Sequence, residues 1–353
     1  MERPFDGWSA VLGRLLEGHD LDPDTAAAAI GQMLEGSATS AQIAGFLVAL
    51  RAKGESRDEL QAMLQVVRDA GVRVALDDDI AARSIDIVGT GGDKSNSVNV
   101  STMAALVVAA CGVPVCKHGN RASSSACGSA DVLEAAGVAI DLSSEGVAAC
   151  IEKTGFGFCL APRFHPAFRH VGSTRRELGV PTVFNLLGPM ANPAPVKHML
   201  VGVAQESMME KMAHALHARG IARAWVVNGH GGLDELAVSG PNTVCELRDG
   251  VVSTFTIDAA DHGIARSTTA DIVGGDAAAN NAALNAAFTG VTGPVRDIVS
   301  FNAGCALFVA GATASIDEGI ARAHRAIDDG EARRLLDTVV EVSRSRAAGE
   351  AAS

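Results

Sequence analysis

The sequence predicts an α/β protein with a small helical domain and a larger α/β domain, whose central mixed sheet is flanked by helices. Up to about residue 75 the apolar residues follow helical periodicity and no strand pattern occurs. From Ile85 onward, short apolar runs alternate with helical segments, as in α/β proteins. Runs 243–247 and 251–257 are joined by Asp249-Gly250, which predicts an antiparallel hairpin and therefore a mixed sheet.

The helical region divides into four predicted helices. Pro23 and Ser40 mark two starts, while Gly36 and Gly54 mark two ends. The helices are expected at residues 8–16, 24–35, 40–52 and 57–70.

The α/β region contains seven predicted strands and several covering helices. The strands are expected at 85–88, 113–116, 158–161, 199–203, 224–228, 243–247 and 251–257. Helices at 206–219, 277–289, 295–310 and 316–330 would cover the faces of the sheet. The stretch 343–353 is rich in Ala, Ser and Arg, and it is expected to be frayed.

The first motif runs from Asp86 to Asp93 in the order Asp-Ile-Val-Gly-Thr-Gly-Gly-Asp, and it predicts a strand, a glycine turn and a helix start. Glycines let backbone N–H groups approach a ligand, and the positive end of the following helix favours an anion. Ser101 or Thr102 is expected to cap that helix. The spacing fits neither a dinucleotide-binding turn nor a P-loop, so a phosphate ligand other than NAD or ATP is favoured. An ordinary βα turn without a ligand is the alternative.

The second motif, from Val115 to Glu134, is again an apolar strand followed by a polar loop and a helix. Its donors are Lys117, Asn120, Arg121, Ser123, Ser124 and Ser125. Ser129 is expected to cap a helix that starts near Ala130. Cations and hydroxyls after a glycine turn predict further anion contacts, although a solvated loop remains an alternative.

Two further clusters suggest an acceptor site and a metal site. His165, Phe168, Gly172 and Arg175 are spaced to share one helix face, which would offer a ring and a cation to an aromatic acid. Asp234-Glu235 follows an apolar strand and a glycine-rich loop, where adjacent carboxylates can bind hard cations. A solvated surface helix and a solvated loop are the respective alternatives.

Taken together, these motifs resemble the anthranilate phosphoribosyltransferase family. The resemblance is carried by Gly-Thr-Gly-Gly-Asp with Asn-Val-Ser-Thr, and by Lys-His-Gly-Asn-Arg-Ala with Gly-Ser-Ala-Asp. Four further blocks agree in order, at 42–55, 164–179, 184–193 and 231–235. The similarity extends from about Leu12 to Ala310.

The resemblance implies magnesium-dependent transfer of the phosphoribosyl group of phosphoribosyl pyrophosphate to the amine of anthranilate, with release of pyrophosphate, in tryptophan biosynthesis. The transition state carries positive charge on the sugar and negative charge on the leaving group, so electrostatic positioning would dominate catalysis. The residues implied to hold the donor are Gly89, Gly92, Asp93, Ser97, Asn99, Val100, Ser101, Thr102, Lys117, His118, Gly119, Asn120, Arg121, Ala122, Ser123, Ser124, Ser125 and Ser129.

The same resemblance implies an acceptor site, a metal site and a catalytic set. Anthranilate would be bound by Gly89, Asn120, His165, Phe168, Arg175 and Gly188. Up to two Mg²⁺ ions per subunit would be held by Ser101, Asp234 and Glu235. Arg175, Asn120 and Lys117 would be the catalytic residues. The proton acceptor stays open between His118, solvent and a pyrophosphate oxygen.

The implied fold is that of the nucleoside-phosphorylase-like phosphoribosyltransferases. A helical domain at 1–78, completed by about 165–190, would face an α/β domain at 79–164 and 191–353. The active site would lie between the domains, and the family commonly forms homodimers through the helical domain.

Composition, net charge and cysteine usage restrict which other partners and which cellular compartment are expected. The net charge of −12 and the absence of a basic run argue against binding to nucleic acid or to an anionic membrane. The first residues contain no apolar signal segment, and no apolar run approaches the ~20 residues that span a bilayer. Seven cysteines without a CxxC pair favour reduced thiols, so a cytoplasmic enzyme is expected.

Two alternatives and several departures from the family pattern remain. A pyrimidine nucleoside phosphorylase is one alternative, because its phosphate loop resembles residues 92–95; an inactive relative that binds nucleic acid is the other. Lys94 stands where the family often has glycine, and Asn228 and His230 stand where histidine and aspartate are more usual. These departures bear on donor and metal affinity.

Overall fold

The computed structural model describes residues 5–122 and 126–352. Its N-terminal part is helical, as predicted, and consists of α1 (Trp8–Leu16), α2 (Pro23–Leu34), α3 (Ser40–Lys53), α4 (Arg57–Asp69) and the short α5 (Asp78–Arg83). Side chains cap four of these starts, and Asp77 caps α5 by accepting the N–H of Asp79. The Asp22 carboxylate accepts the N–H of Thr25, and capping boxes at Thr39 and Ser56 begin α3 and α4.

From residue 85 onward, strands and helices alternate. The strands are β1 (Ile85–Gly89), β2 (Val115–Gly119), β3 (Phe156–Leu160), β4 (His198–Gly202), β5 (Arg223–Asn228), β6 (Asn242–Arg248) and β7 (Val251–Ile257). The helices are α6 (Val100–Ala110), α7 (Ser129–Ala135), α8 (Ser144–Thr154), α9 (Ala161–Phe164), α10 (Arg169–Leu178), α11 (Phe184–Met190), α12 (Met209–Ala218), α13 (Ala277–Phe288), α14 (Pro294–Val309), α15 (Ile316–Asp328) and α16 (Glu331–Ala352).

The seven strands form one mixed sheet in the order β3-β2-β1-β4-β5-β6-β7. Strands β1 to β5 run parallel, whereas β6 and β7 are antiparallel and make the predicted hairpin. The predicted fold class is confirmed. Strand β3 begins at Phe156, two residues earlier than predicted, because Gly155 adopts φ 78° and ends α8 there.

Helices cover both faces of the sheet. One apolar layer contains the helices α6, α14, α15 and α16 and the face of β1 that carries Ile85 and Ile87. The other layer joins α8, α11 and α12 with the N-terminal helices, and Val88 points into it. Helix α10 packs against α2 and α3, so the middle of the chain returns to the N-terminal helices.

The expected fraying after residue 343 is wrong, because α16 continues to Ala352. Ser343 is buried and its hydroxyl accepts the N–H of Ala139 at 3.0 Å. The carboxylate of Glu350 accepts the N–H of Ser143 at 3.0 Å, beside the start of α8. Small residues let α16 pack closely, and composition alone did not reveal that packing. No helix in residues 5–122 and 126–352 is long and apolar enough to cross a membrane.

Candidate active site

The glycine turn follows β1 and turns through left-handed backbone. Gly91 and Gly92 have φ of 68° and 85°, which only glycine adopts without strain. Lys94 and Asn96 also have positive φ, at 60° and 52°. The position of Lys94 therefore explains why glycine is often found there in the resembled family.

Helix α6 begins at the end of this turn, and its capping differs from the prediction. Ser101 and Thr102 lie inside the first helical turn, and Asn99 is the N-cap without a capping side-chain bond. The N–H of Ser101 instead donates to Glu235 Oε1 at 3.0 Å. A carboxylate from a distant loop thus occupies the positive end of α6.

The loop that carries Asp234 packs directly on the ends of β1 and β4. The N–H of Gly91 donates to Asp234 Oδ2 at 2.6 Å. A Cβ built on Gly202 would lie 1.6 Å from the Asp234 carbonyl oxygen, and one on Gly89 would lie 2.3 Å from Asp234 Oδ2. Glycine at both positions is what allows the carboxylates to reach the phosphate turn.

Negative charge accumulates at this junction. Burial, followed by the charges of Glu235 and Asp93, raises the pKa of Asp234 well above its ordinary value. Burial raises the pKa of Glu235 to about 7, although the nearby ammonium of Lys117 opposes this shift. Oδ2 of Asp93 is buried and accepts no hydrogen bond from the described residues. Such a cluster favours a bound cation.

A divalent ion would need ligands beyond these side chains. In the described part of the chain, no three His, Cys, Asp or Glu side chains converge closely enough to hold a metal alone. Magnesium usually takes one or two carboxylates and completes its shell with water and substrate phosphate oxygens. The carboxylates of Asp234 and Glu235 fit that pattern.

Lys117 lies beneath the glycine turn and is only 1% exposed. Its ammonium donates to the carbonyl oxygen of Ile87 and to Ser101 Oγ, the latter at 3.3 Å. Burial lowers the pKa of Lys117, while the charges of Asp86 and Glu235 raise it. The lysine is thus a buried counter-charge for the carboxylates.

The loop after β2 is organised by the carboxylates of α7. The prediction that Ser129 caps this helix is wrong, because Gly128 is the N-cap and Asp131 Oδ2 accepts its N–H at 2.9 Å. The Ser129 hydroxyl accepts the N–H of Asn120 at 3.2 Å. The exposed Arg121 forms ion pairs with Asp131 and Glu134, both on α7. Ser123, Ser124 and Ser125 lie outside the described residues.

The remaining predicted donor positions surround the same junction. Val100 and Thr102 are buried, while Ser97 and Gly92 are more accessible. Ala122 donates its N–H to Asp131 at 2.9 Å, and a Cβ on Gly119 would meet Ser129 Oγ at 2.2 Å. The backbone of both loops is therefore held close to the ends of β1 and β2.

Three of the predicted acceptor residues, His165, Phe168 and Gly188, lie beside His118 of β2, whereas Gly89 and Asn120 lie at the ends of β1 and β2. The ring of His118 is buried, and its Nδ1 lies 3.1 Å from the Gly188 carbonyl oxygen. The His165 ring lies 5.1 Å from that of His118, with Nε2 3.0 Å from the Ala191 carbonyl oxygen. Burial lowers the pKa of His118 well below its ordinary value and that of His165 to about 4. Both rings are therefore neutral at pH 7.

An aromatic row continues from these histidines to a cation. Phe168 stacks on His165 with centroids 5.1 Å apart and meets Phe184 edge-on at 5.3 Å. The Arg175 guanidinium lies 5.2 Å from the Phe184 ring centre. Among the described residues, Arg175 makes no hydrogen bond or ion pair, and burial lowers its pKa. An unpaired, desolvated guanidinium favours a carboxylate ligand.

The predicted shared helix face is wrong in detail. Helix α10 begins at Arg169, and Pro166–Phe168 forms a short 3-10 helix before it. The aromatic row arises because the 3-10 helix packs against α11, and it does not depend on helical spacing. A Cβ on Gly188 would meet nothing within 4 Å, so this glycine borders open space.

Three residues of this region lie within the motifs that carry the resemblance, but the sequence assigned them no role. Phe184 supports Arg175, and Asp86 and Asn192 are fully buried and bonded to each other at 2.7 Å. A charged residue within an otherwise apolar strand was the available signal for Asp86. Phe184 and Asn192 are marked in the sequence by their place in the block at 184–193.

Comparisons with known proteins give a consistent family assignment. Residues 9–71 match the model described as "Glycosyl transferase family, helical bundle domain", and residues 81–333 match "Glycosyl transferase family, a/b domain". An anthranilate phosphoribosyltransferase of Afipia carboxidovorans is 48% identical, over 96% of this chain and 99% of the relative. The chain belongs to the anthranilate phosphoribosyltransferase family. A Salinispora arenicola relative of the same name is 47% identical, over 95% of this chain and 96% of its own.

Solved structures of anthranilate phosphoribosyltransferases share the fold. The Thermus thermophilus enzyme is 40% identical with a TM-score of 0.88, covering 95% of this chain and 99% of its own. The Saccharomyces cerevisiae enzyme in complex with PRPP and Mg is 27% identical with a TM-score of 0.86, covering 96% and 98%. The predicted family, fold and enzyme class are confirmed. These relatives are named as transferases, not as pyrimidine nucleoside phosphorylases.

Proposed function

We propose that this chain transfers the phosphoribosyl group of phosphoribosyl pyrophosphate to the amine of anthranilate, forming a C–N bond at the anomeric carbon and releasing pyrophosphate. The observation that carries the proposal is the convergence of Asp234 and Glu235 on the glycine turn and on the start of α6. Backbone N–H groups and carboxylates at one point suit a diphosphate together with its divalent cation.

Magnesium would be held by Asp234, Glu235 and the Ser101 hydroxyl, with one or two ions per subunit. The yeast relative was solved with PRPP and Mg, which supports this choice. When bound, the ion neutralises the charge that develops on the leaving diphosphate. Lys117, bonded to Ser101 Oγ, would hold that hydroxyl in place.

The donor would lie across the loops that follow β1 and β2. We assign its diphosphate to the backbone of residues 89–93 and 97–102, and its remaining polar groups to residues 117–125 and Ser129. Asn120 lies in the exposed loop after β2, and we assign its side-chain amide to orienting the reacting groups.

Anthranilate would bind between Arg175 and the ends of β1 and β2. Arg175 is assigned to its carboxylate, since among the described residues this guanidinium contacts the Phe184 ring and has no anionic partner. Gly89, Asn120, His165, Phe168 and Gly188 are assigned to the surrounding walls. The amine loses a proton during or after attack, and Nε2 of His118 is a buried, neutral acceptor without a partner in the described chain.

The helical domain at 1–78, completed by about 165–190, is proposed to close on the α/β domain at 79–164 and 191–353. Packing of α10 on α2 and α3 supports this division. Closure would exclude water while the sugar is reactive.

A cytoplasmic homodimer through the helical domain is also proposed. Leu16 on α1 and Val48 on α3 are 78% and 47% exposed, which suits an apolar contact between copies. All seven cysteines lie in the described ranges and form no disulfide, as expected for a reducing compartment. Light scattering of the wild type and of Val48→Asp would test the dimer, because the added charge should favour monomers.

The activity is tested by the loss of anthranilate fluorescence with purified protein, phosphoribosyl pyrophosphate and Mg²⁺. The proposal expects a loss that requires all components and stops when EDTA is added. If the protein binds the donor but leaves anthranilate unchanged, another acceptor must be sought. If it does not bind the donor either, the proposed reaction is wrong.

A further inference from the structure

The central sheet contains a break between β1 and β2. The two strands share a single ladder pair, Ile85 with Val115. Strand β1 makes five such pairs with β4, and β2 makes five with β3. The strands therefore separate on one side only, toward their carboxyl ends.

The next rung of this ladder is defined by parallel geometry. It would pair Ile87 with Lys117, joining the Ile87 N–H to the Cys116 carbonyl and the His118 N–H to the Ile87 carbonyl. The rung is missing, and a missing rung inside a buried sheet would leave these polar groups unsatisfied.

Side chains satisfy three of the four groups of that rung. Asp86 Oδ1 accepts the His118 N–H at 3.3 Å, and Asn192 Nδ2 donates to the Cys116 carbonyl at 2.7 Å. The ammonium of Lys117 donates to the carbonyl of its missing partner on β1. These bonds let the strands stay apart without leaving those groups unpaired.

Asp86 and Asn192 also bond to each other. Asn192 Nδ2 donates to Asp86 Oδ2 at 2.7 Å, and both side chains are fully buried. Asn192 follows α11, whose Gly188 carbonyl contacts the ring of His118. The pair thereby links the segment assigned to the acceptor with the strands that carry the donor loops.

We propose that Asp86 and Asn192 are positioning residues that hold β1 and β2 apart and so keep open the crevice for the ribose-diphosphate donor. Paired strands lie about 4.8 Å apart, which would bring the two donor loops together where ligands of such sheets bind. Asp86 acts through the His118 backbone and Asn192 through that of Cys116, so neither needs to touch the substrate. This inference rests on the proposed function.

The test uses Asp86→Asn and Asn192→Ala in the full chain, with donor binding measured by calorimetry beside steady-state turnover. Asp86→Asn keeps the shape of the side chain but replaces one acceptor oxygen with an NH₂ donor, which then faces either the His118 N–H or the Asn192 amide donor. Asn192→Ala leaves the Cys116 carbonyl without its partner. Ser343→Ala is the matched control, because it removes a buried hydrogen bond on α16 and leaves the crevice unchanged.

Either variant is expected to raise the Kd and KM for phosphoribosyl pyrophosphate about tenfold, with a smaller change in kcat. The control should lower the melting temperature and leave those constants within twofold. Variants that melt earlier but bind the donor as tightly as wild type would overturn the inference. If Asp86→Asn does not fold, Asn192→Ala decides alone. A wild type that binds donor but consumes no anthranilate refutes the proposed acceptor, and the binding comparison still judges the inference.

Discussion

The N–H of Gly91 and the carboxylate of Asp234, 143 residues apart in the chain, form a 2.6 Å hydrogen bond at the centre of the candidate site. Through this bond the glycine turn after β1 holds the acidic loop that follows β5. The Glu235 carboxylate likewise accepts the N–H of Ser101 at the start of α6. The negative charge at this junction leads to the first two predictions.

Asp234→Asn is expected to stabilise the metal-free protein while it weakens catalysis. The pKa of Asp234 is raised by burial and by Glu235, so its ionised form destabilises the folded state at neutral pH. The amide removes that charge and offers Mg²⁺ only a neutral oxygen in place of a carboxylate, which weakens the metal site. Calorimetry should show a higher melting temperature without Mg²⁺, and turnover should need more Mg²⁺. A lower melting temperature with unchanged metal dependence would contradict this reading.

The stability of the metal-free enzyme should depend on pH through Glu235. Burial raises the folded pKa of Glu235 to about 7, above the ordinary value of about 4.5 for a glutamate carboxyl group. The group therefore favours folding fully below about pH 4.5, and this contribution is lost as the pH rises through 7. The difference in melting temperature between wild type and Glu235→Gln should grow from pH 6 to pH 8, in favour of the variant. A difference that stays constant over this range would exclude Glu235 as its cause.

Gly202→Ala is expected to displace the acidic loop. The added methyl group would lie 1.6 Å from the carbonyl oxygen of Asp234, so the backbone must move. A shift of ~1 Å at a catalytic group can reduce turnover about 100-fold. Gly13→Ala in α1 is the control, since its methyl group meets nothing within 4 Å. Wild-type kinetics in Gly202→Ala would show that the loop position does not matter.

Arg175→Gln is expected to impair acceptor binding selectively. The guanidinium has no anionic partner among the described residues and is desolvated beside Phe184. Loss of one charge-assisted contact should raise the KM for anthranilate about tenfold or more. The KM for phosphoribosyl pyrophosphate should not change, and Arg176→Gln, its more exposed neighbour, should resemble wild type. Equal effects on both substrates would place Arg175 elsewhere in the mechanism.

Glu350→Ala is expected to reduce stability and leave the kinetics intact. Its carboxylate accepts hydrogen bonds from the backbone N–H and the hydroxyl of Ser143, which begins α8, and so links α16 to α8. Loss of such a contact costs about 1 kcal/mol. Thermal unfolding measured beside kcat/KM would check both parts. Unchanged stability would mean that the end of α16 contributes little to the fold.

Local sequence signals predicted most of the fold. Helical periodicity before residue 75 and the Asp249-Gly250 turn act over a few residues, so they are readable without tertiary contacts. The C-terminal helix was missed because its composition was interpreted as that of a frayed end, although Ala, Arg and Glu favour helices. The contacts that fix it, such as that of Ser343 with Ala139, join distant parts of the chain. The caps at Ser101 and Ser129 were mispredicted because carboxylates satisfy those helix starts instead.

The candidate site was predictable in its residues more than in its geometry. The resemblance to the family, together with residue chemistry, identified Asp234, Glu235 and Arg175 as candidates for binding a cation and a carboxylate. The break between β1 and β2 was not predictable, because it depends on Asn192, which lies 106 residues from Asp86. A sequence pattern shows the periodicity along one strand, but it does not show which hydrogen bonds between two strands are missing.

The central claim is best tested by measuring pyrophosphate release and anthranilate consumption in one reaction. With phosphoribosyl pyrophosphate and Mg²⁺, the two rates should be equal, and both should vanish without anthranilate or with Asp234→Asn at limiting Mg²⁺. Pyrophosphate release that does not depend on anthranilate, or nucleoside cleavage that requires free phosphate, would contradict the proposed reaction.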